Sequence, residues 1–130
     1  MDISEVAAVM IHVPDPSAGM AWYARAFPLS RRAGAEDGTF QFLIVGKIQL
    51  EIVLADAKVA AGASGTVVYW QVEDFDEALA HFQRLGASLY RGPMQIEHGQ
   101  AMCQMRDPWG NCIGLRGRSR RSVVEVPMYP

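Results

Sequence analysis

"HVPDPSAGMAWY", residues 12–23, can be laid on "QVEDFDEALAHF", residues 71–82, without a gap, with Val13 on Val72 and Asp15 on Asp74. In each copy an apolar run reaches an acidic residue and then a helical pattern, so one strand-to-helix junction is met twice. Upstream of the first copy, "VAAVMIHV" (6–13) is apolar and rich in β-branched residues, which reads as a strand. Asp15 then serves as N-cap, and Pro16 takes the first helical position, where its missing N–H does no harm. Met20, Tyr23, Ala24 and Phe27 recur at helical spacing and predict an amphipathic helix over 16–27. Pro28 ends it, because the residue before a proline is pushed out of helical geometry.

Working outward, "RRAGAEDG" (31–38) reads as a polar edge or loop with two turn glycines. "TFQFLIV", Gly46 and "KIQLEIVL" then form a hairpin about a short turn. The second half repeats this order. "TVVYWQV" (66–72) is a strand, and Asp74 caps a helix with Glu77 at capping-box spacing. Phe75, Ala78, Leu79, Phe82 and Leu85 give that helix its apolar face, and Gly86 closes it. "SLYRG" and "QAMCQMR" are strands, and "DPWGN" is a turn into "CIGLRG". Both halves read strand, helix, strand, strand, strand. The chain is therefore α+β, an internal duplication of two βαβββ modules within one domain. Module 1 covers about 5–56 and module 2 about 66–117, joined by "AKVAAGASG" (57–65) and followed by a tail, 118–130.

Several function classes fall away. A formal net charge of -2 argues against a nucleic-acid partner, which calls for a basic surface. No apolar run reaches the length of a membrane span, and residues 1–10 lack the basic segment of a signal peptide. Cys103 and Cys112 are too few for a disulfide scaffold and read as buried free thiols of a reducing cytoplasm. There is no P-loop and no dinucleotide-binding glycine pattern. "RGRSRRS", with Arg116, Arg118, Arg120 and Arg121, reads as a solvated tail. Trp22 is assigned to a helix face and Trp109 to a turn tip.

Strand alternation sorts the remaining side chains. Ile48, Leu50, Ile52 and Leu54 point toward the helix, and Gln49, Glu51 and Val53 point away. Ala8, Met10 and His12 share one face. By the repeat, Val67, Tyr69 and Gln71 point away from the second helix, and Val68 and Trp70 toward it. Cys112, Gly114 and Arg116 have the same parity on the last strand.

The modular order, the junctions "VPD" and "VED", "LGASLYRGP" and above all "RDPWGNCIGL" (106–115) resemble the vicinal oxygen chelate superfamily over residues 5–117. That superfamily holds glyoxalase I, bleomycin- and fosfomycin-resistance proteins and extradiol dioxygenases. The resemblance implies curled mixed sheets around a cavity with the helices outside, and a homodimer. It also implies metal-ligand positions on the first and last strand of each module. These fall on Ala8, Glu51, Val67 and Gly114, three of which lack a donor side chain, whereas a catalytic metal needs about three protein ligands. The expected function is thus to bind a small organic molecule without a metal or other cofactor. The expected ligand set is Met10, His12, Gln49, Glu51, Val67, Tyr69, Gln71 and Gly114. The alternatives are a glyoxalase-like lyase or isomerase, or a dioxygenase-type enzyme, whose divalent metal has moved to His12 and Glu51 with Gln71, or a metal-free enzyme using Glu51 or His12 as acid/base. Glu51 keeps three readings: general base, ligand-binding group, or a structural residue paired with His12 or facing water. His12 keeps the alternative of a hydrogen-bonded core histidine. His81 and His98 are expected at the surface.

Overall fold

Asp15 and Asp74 each open a helix by giving side-chain oxygens to N–H groups that the first turn leaves unpaired. In the computed structural model, which describes residues 1–2, 4–34, 38 and 40–120, Asp15 Oδ1 accepts from the backbone N–H of Ser17 (3.1 Å) and Ala18 (3.3 Å). Helix α1 (Pro16–Ala26) follows, closed by the Phe27 N–H on the Tyr23 carbonyl. Asp74 Oδ1 accepts from the Glu77 N–H at 3.1 Å and opens α2 (Phe75–Arg84), after which the Gly86 N–H reaches the Gln83 carbonyl. Among the described residues no helix is long and apolar enough to cross a membrane.

The chain divides into two units between Gly62 and Ala63. The first holds β1 (Ala8–Val13), α1, β2 (Arg31–Gly34), β3 (Gln41–Val45) and β4 (Ile48–Leu54) in a sheet ordered β1-β4-β3-β2. The second holds β5 (Tyr69–Asp74), α2, β6 (Ser88–Gln95), β7 (Gln100–Arg106) and β8 (Cys112–Arg118), ordered β5-β8-β7-β6. In each sheet the first strand lies parallel to the last and the remaining pairs are antiparallel. The expected α+β architecture of two βαβββ modules is thus present as two four-stranded mixed sheets.

Each helix covers one face of its own sheet. In the first unit Val13, Leu43 and Leu50 are fully buried, with Tyr23, Trp22 and Met20 supplied by α1. The approach is close at Gly19, where a Cβ would stand 2.7 Å from Ile52 Cγ2 and 2.9 Å from Val13 Cγ2. Only a glycine lets the helix backbone come this near. In the second unit Met105, Ile113 and Leu115 from the strands meet Phe75 and Phe82 from α2.

The boundaries differ from the sequence reading in several places. β1 starts at Ala8, not Val6, and β5 at Tyr69, not Thr66, so Val67 precedes its strand. The partner of β5 is β8, and a single bond from the Gly114 N–H to the Val68 carbonyl continues the pairing ahead of Tyr69. Residues 31–34 form an edge strand because β3 offers them a ladder, and β6 runs on past Gly92 to Gln95. Leu54 has the helix-side parity yet is 63 % exposed, since α1 is held over Val13 and Ile52 and the strand outruns it. Arg116 and Arg118 belong to β8, not to a solvated tail. Arg121 and "SVVEVPMYP" lie outside the described residues.

Candidate functional site

In the first unit the parallel register pairs Ala8 with Gln49, Met10 with Glu51 and His12 with Val53. Those six side chains therefore share the face turned away from α1, as alternation requires. Glu51 is half-buried, and its Oε2 accepts a 2.7 Å hydrogen bond from Gln49 Nε2. The neighbouring amide, two residues back on the same strand, is thus its partner. His12 stands one step further along the face and acts on Asp56. That carboxyl is lowered chiefly by the backbone N–H groups of Val59 (2.8 Å) and Lys58 (2.9 Å), with the imidazole a smaller contribution. Met10, 53 % exposed, offers an apolar side chain beside Glu51.

In the second unit Tyr69 is in register with Gly114, which in turn opposes Gln104; Gln71 matches Arg116, which opposes Met102. A Cβ on Gly114 would lie 2.6 to 2.9 Å from three carbons of the Tyr69 ring. The ring thus fills the space a side chain at 114 would need. The Tyr69 hydroxyl accepts from Gln104 Nε2 at 2.8 Å, and the Cys112 thiol donates to Gln104 Oε1 at 3.6 Å. The Arg116 guanidinium carbon stands 5.2 Å from the Tyr69 ring centroid, a cation–π arrangement. Among the described residues, Arg116 Nε is buried with no hydrogen-bond partner.

Both faces end in turns that fix their strands. Asp107, 4 % exposed, accepts at Oδ1 from the N–H groups of Trp109 and Asn111 (2.8 Å each) and at Oδ2 from Asn111 Nδ2 (3.0 Å). This carboxylate holds the "DPWGN" turn together and so sets where β8 begins. The β3–β4 hairpin turns at Gly46, whose φ of +60° suits glycine.

Of the expected site residues, Met10, His12, Gln49 and Glu51 come together on one sheet face, and Tyr69, Gln71 and Gly114 on another. Val67 is half-buried ahead of its strand. Gln104 and Cys112 were not among the expected set, nor was Arg116. Alternation with the buried Ala101, Cys103 and Met105 was the signal for Gln104. The expected pairing of Glu51 with His12 gives way to the Gln49 contact. His98 is exposed, as expected, whereas His81 is half-buried with its ring edge-on to Phe82.

Two βαβββ modules, each with a mixed sheet in the order first-last-third-second, define an α+β fold of the vicinal oxygen chelate type. The chain belongs to the Glyoxalase/Bleomycin resistance protein/Dioxygenase superfamily, whose family profile matches residues 5–115. Among solved structures, it is similar to the fosfomycin resistance protein FosX from Mesorhizobium loti at 18 % identity, covering 90 % of this chain and 93 % of that one, with a TM-score of 0.68. FosX from Listeria monocytogenes aligns at 14 % identity over 89 % and 94 % of the two chains, TM-score 0.71. A lactoylglutathione lyase from Agrobacterium tumefaciens aligns at 21 % identity over 90 % and 96 %, TM-score 0.64. No curated protein matches the chain.

The residues present do not fit the divalent ion of metal-dependent superfamily members. Ala8 and Val67 carry no donor atom, and the room beside Gly114 is taken by an aromatic ring. Within either module, no three His, Cys, Asp or Glu side chains among the described residues gather at metal-binding distance.

Proposed function

We propose that this protein binds a small organic molecule on the sheet faces turned away from its helices, without a catalytic metal. The placement of the Tyr69 ring over Gly114 carries this reading. Where a last-strand ligand would project, this chain puts an aromatic surface, tied down by Gln104 and flanked by Arg116. On this face of the second unit Met102 adds apolar surface and Gln71 a polar group; the corresponding face of the first unit has Met10 as its apolar surface, with Gln49 and His12 as polar groups that can orient a ligand. An apolar wall with a few polar groups is the usual make-up of a small-molecule site. Glu51, already holding the Gln49 amide, acts in this reading as a hydrogen-bond acceptor toward a ligand on the face of the first unit and not as a proton-transfer group. The names of the structural neighbours, fosfomycin resistance proteins and a lactoylglutathione lyase, support small organic molecules as the ligand class.

A thermal-shift screen against small aromatic and polar organic compounds tests the reading. A ligand at about 100 times its dissociation constant adds about 2.7 kcal/mol of stability, and Tyr69→Ala removes the shift. The absence of any shift across a broad library contradicts the proposal. A homodimer in the cytoplasm is part of the same proposal. It is supported by edge strand β6, which presents Leu89, Tyr90 and Met94 between 40 and 52 % exposed. Light scattering at micromolar concentration checks this, and a monomeric mass contradicts it.

A further inference from the structure

The face around Tyr69 carries three guanidinium groups, and none of them forms an ion pair among the described residues. Arg91 opposes Gln104 from β6, Arg106 opposes Cys112, and Arg116 stands between Gln71 and Met102. Gln104, linked to Tyr69 and Cys112, is thus bordered by cations on three sides. Two of them are held in place by neutral groups. Arg106 Nε donates to the Gly110 carbonyl at 3.1 Å, with its guanidinium 5.2 Å from the Tyr90 ring centroid. Arg116 is held over the Tyr69 ring, yet its Nε is buried without an acceptor among the described residues. Burial pushes the Cys112 thiol up while Arg106 and Arg91 pull against it, so the fields of both reach the middle of the face.

A buried N–H with no acceptor is unfavourable, and so are three like charges on one sheet face. One incoming anion relieves the crowding of like charge. Guanidinium matches carboxylate and phosphoryl oxygens with paired, charge-assisted hydrogen bonds, and its anchoring on an aromatic ring leaves little freedom to lose on binding.

We infer that this face binds a small organic acid, its carboxylate or phosphoryl oxyanion on Arg116 and its apolar part against Tyr69 and Met102. Arg91 and Arg106 supply attraction at longer range. The inference rests on the small-molecule reading above and adds to it the charge of the ligand and the residue that receives it.

Calorimetric titration of the full chain with benzoate, phenyl phosphate and neutral benzamide is the test. At least one anion binds saturably and about tenfold or more tighter than benzamide, a difference of about 1.4 kcal/mol. Benzoate alone identifies a carboxylate ligand, and phenyl phosphate alone a phosphoryl ligand. Arg116→Gln removes the preference, and Arg116→Lys, which keeps the charge but loses the fork, restores it only in part. Arg91→Gln, at an exposed position that leaves the fold intact, weakens anion binding and its dependence on salt. Benzamide binding as tightly as the anions overturns the inference. So does unchanged anion affinity in both Arg116→Gln and Arg91→Gln, or the failure of both anions to bind. Neutral compounds that still shift the melting temperature would in that case leave the broader small-molecule reading standing.

Discussion

The ring of Tyr69 lies against the bare backbone of Gly114, so that a Cβ there would stand 2.6 Å from Tyr69 Cδ1 and 2.7 Å from Cγ. Overpacking of this kind costs about 1–3 kcal/mol. Gly114→Ala is therefore expected to destabilise the protein by that amount in urea unfolding. In a Tyr69→Ala background the same substitution is expected to be nearly neutral. A double-mutant cycle with a coupling near zero contradicts the contact.

Asp107 gathers three N–H donors in a buried turn. Asp107→Ala leaves those donors without acceptors and is expected to cost about 3 kcal/mol, the scale of losing buried, charge-assisted hydrogen bonds. Because the turn sets the start of β8, amide exchange at Cys112–Leu115 is expected to quicken as well. A loss well under about 1 kcal/mol contradicts this role for the carboxylate.

Burial pushes the Cys103 thiol from 9.0 up to about 11, with Cys112 adding to the shift. The folded state thus keeps a proton that the unfolded chain gives up. Its contribution to stability is whole below about pH 9 and is lost as the pH rises through about 11, on the order of 2 kcal/mol in all. Urea unfolding across this range checks it. The stability gap between wild type and Cys103→Ala is expected to narrow with rising pH, and a constant gap contradicts it.

Glu51 takes its hydrogen bond from Gln49 on the same strand. Glu51→Gln keeps the shape and an acceptor oxygen, and its stability is expected to stay within about 1 kcal/mol of wild type. The substitution is expected to alter ligand binding more than stability, since the carboxylate is only half-buried on an open face. A loss of several kcal/mol contradicts the ligand-facing role.

The duplication, both helix caps and the parity of β1, β4, β5 and β8 were legible in the sequence, because caps and alternation are local rules. Asp15, Asp74, Leu50, Ile52 and Glu51 all stand where those rules put them. The start of β5 was not legible, since strand length depends on the partner. Here the ladder with β8 is taken up at Tyr69, opposite Gly114. The second face was half legible. Tyr69 and Gly114 had the right parity, but their packing against each other needs the register between β5 and β8, which no local pattern states. Arg116 had that parity too, but it was also counted among the arginines of an apparent tail. It belongs to the face because β8 continues to Arg118.

The most direct test of the account is the metal content of tag-free protein purified without chelator from medium supplied with zinc, manganese, iron and nickel. Elemental mass spectrometry is expected to find far less than one ion of any of them per chain, with no change in Glu51→Gln. Close to one ion per chain, lost in Glu51→Gln, would contradict a metal-independent binding site.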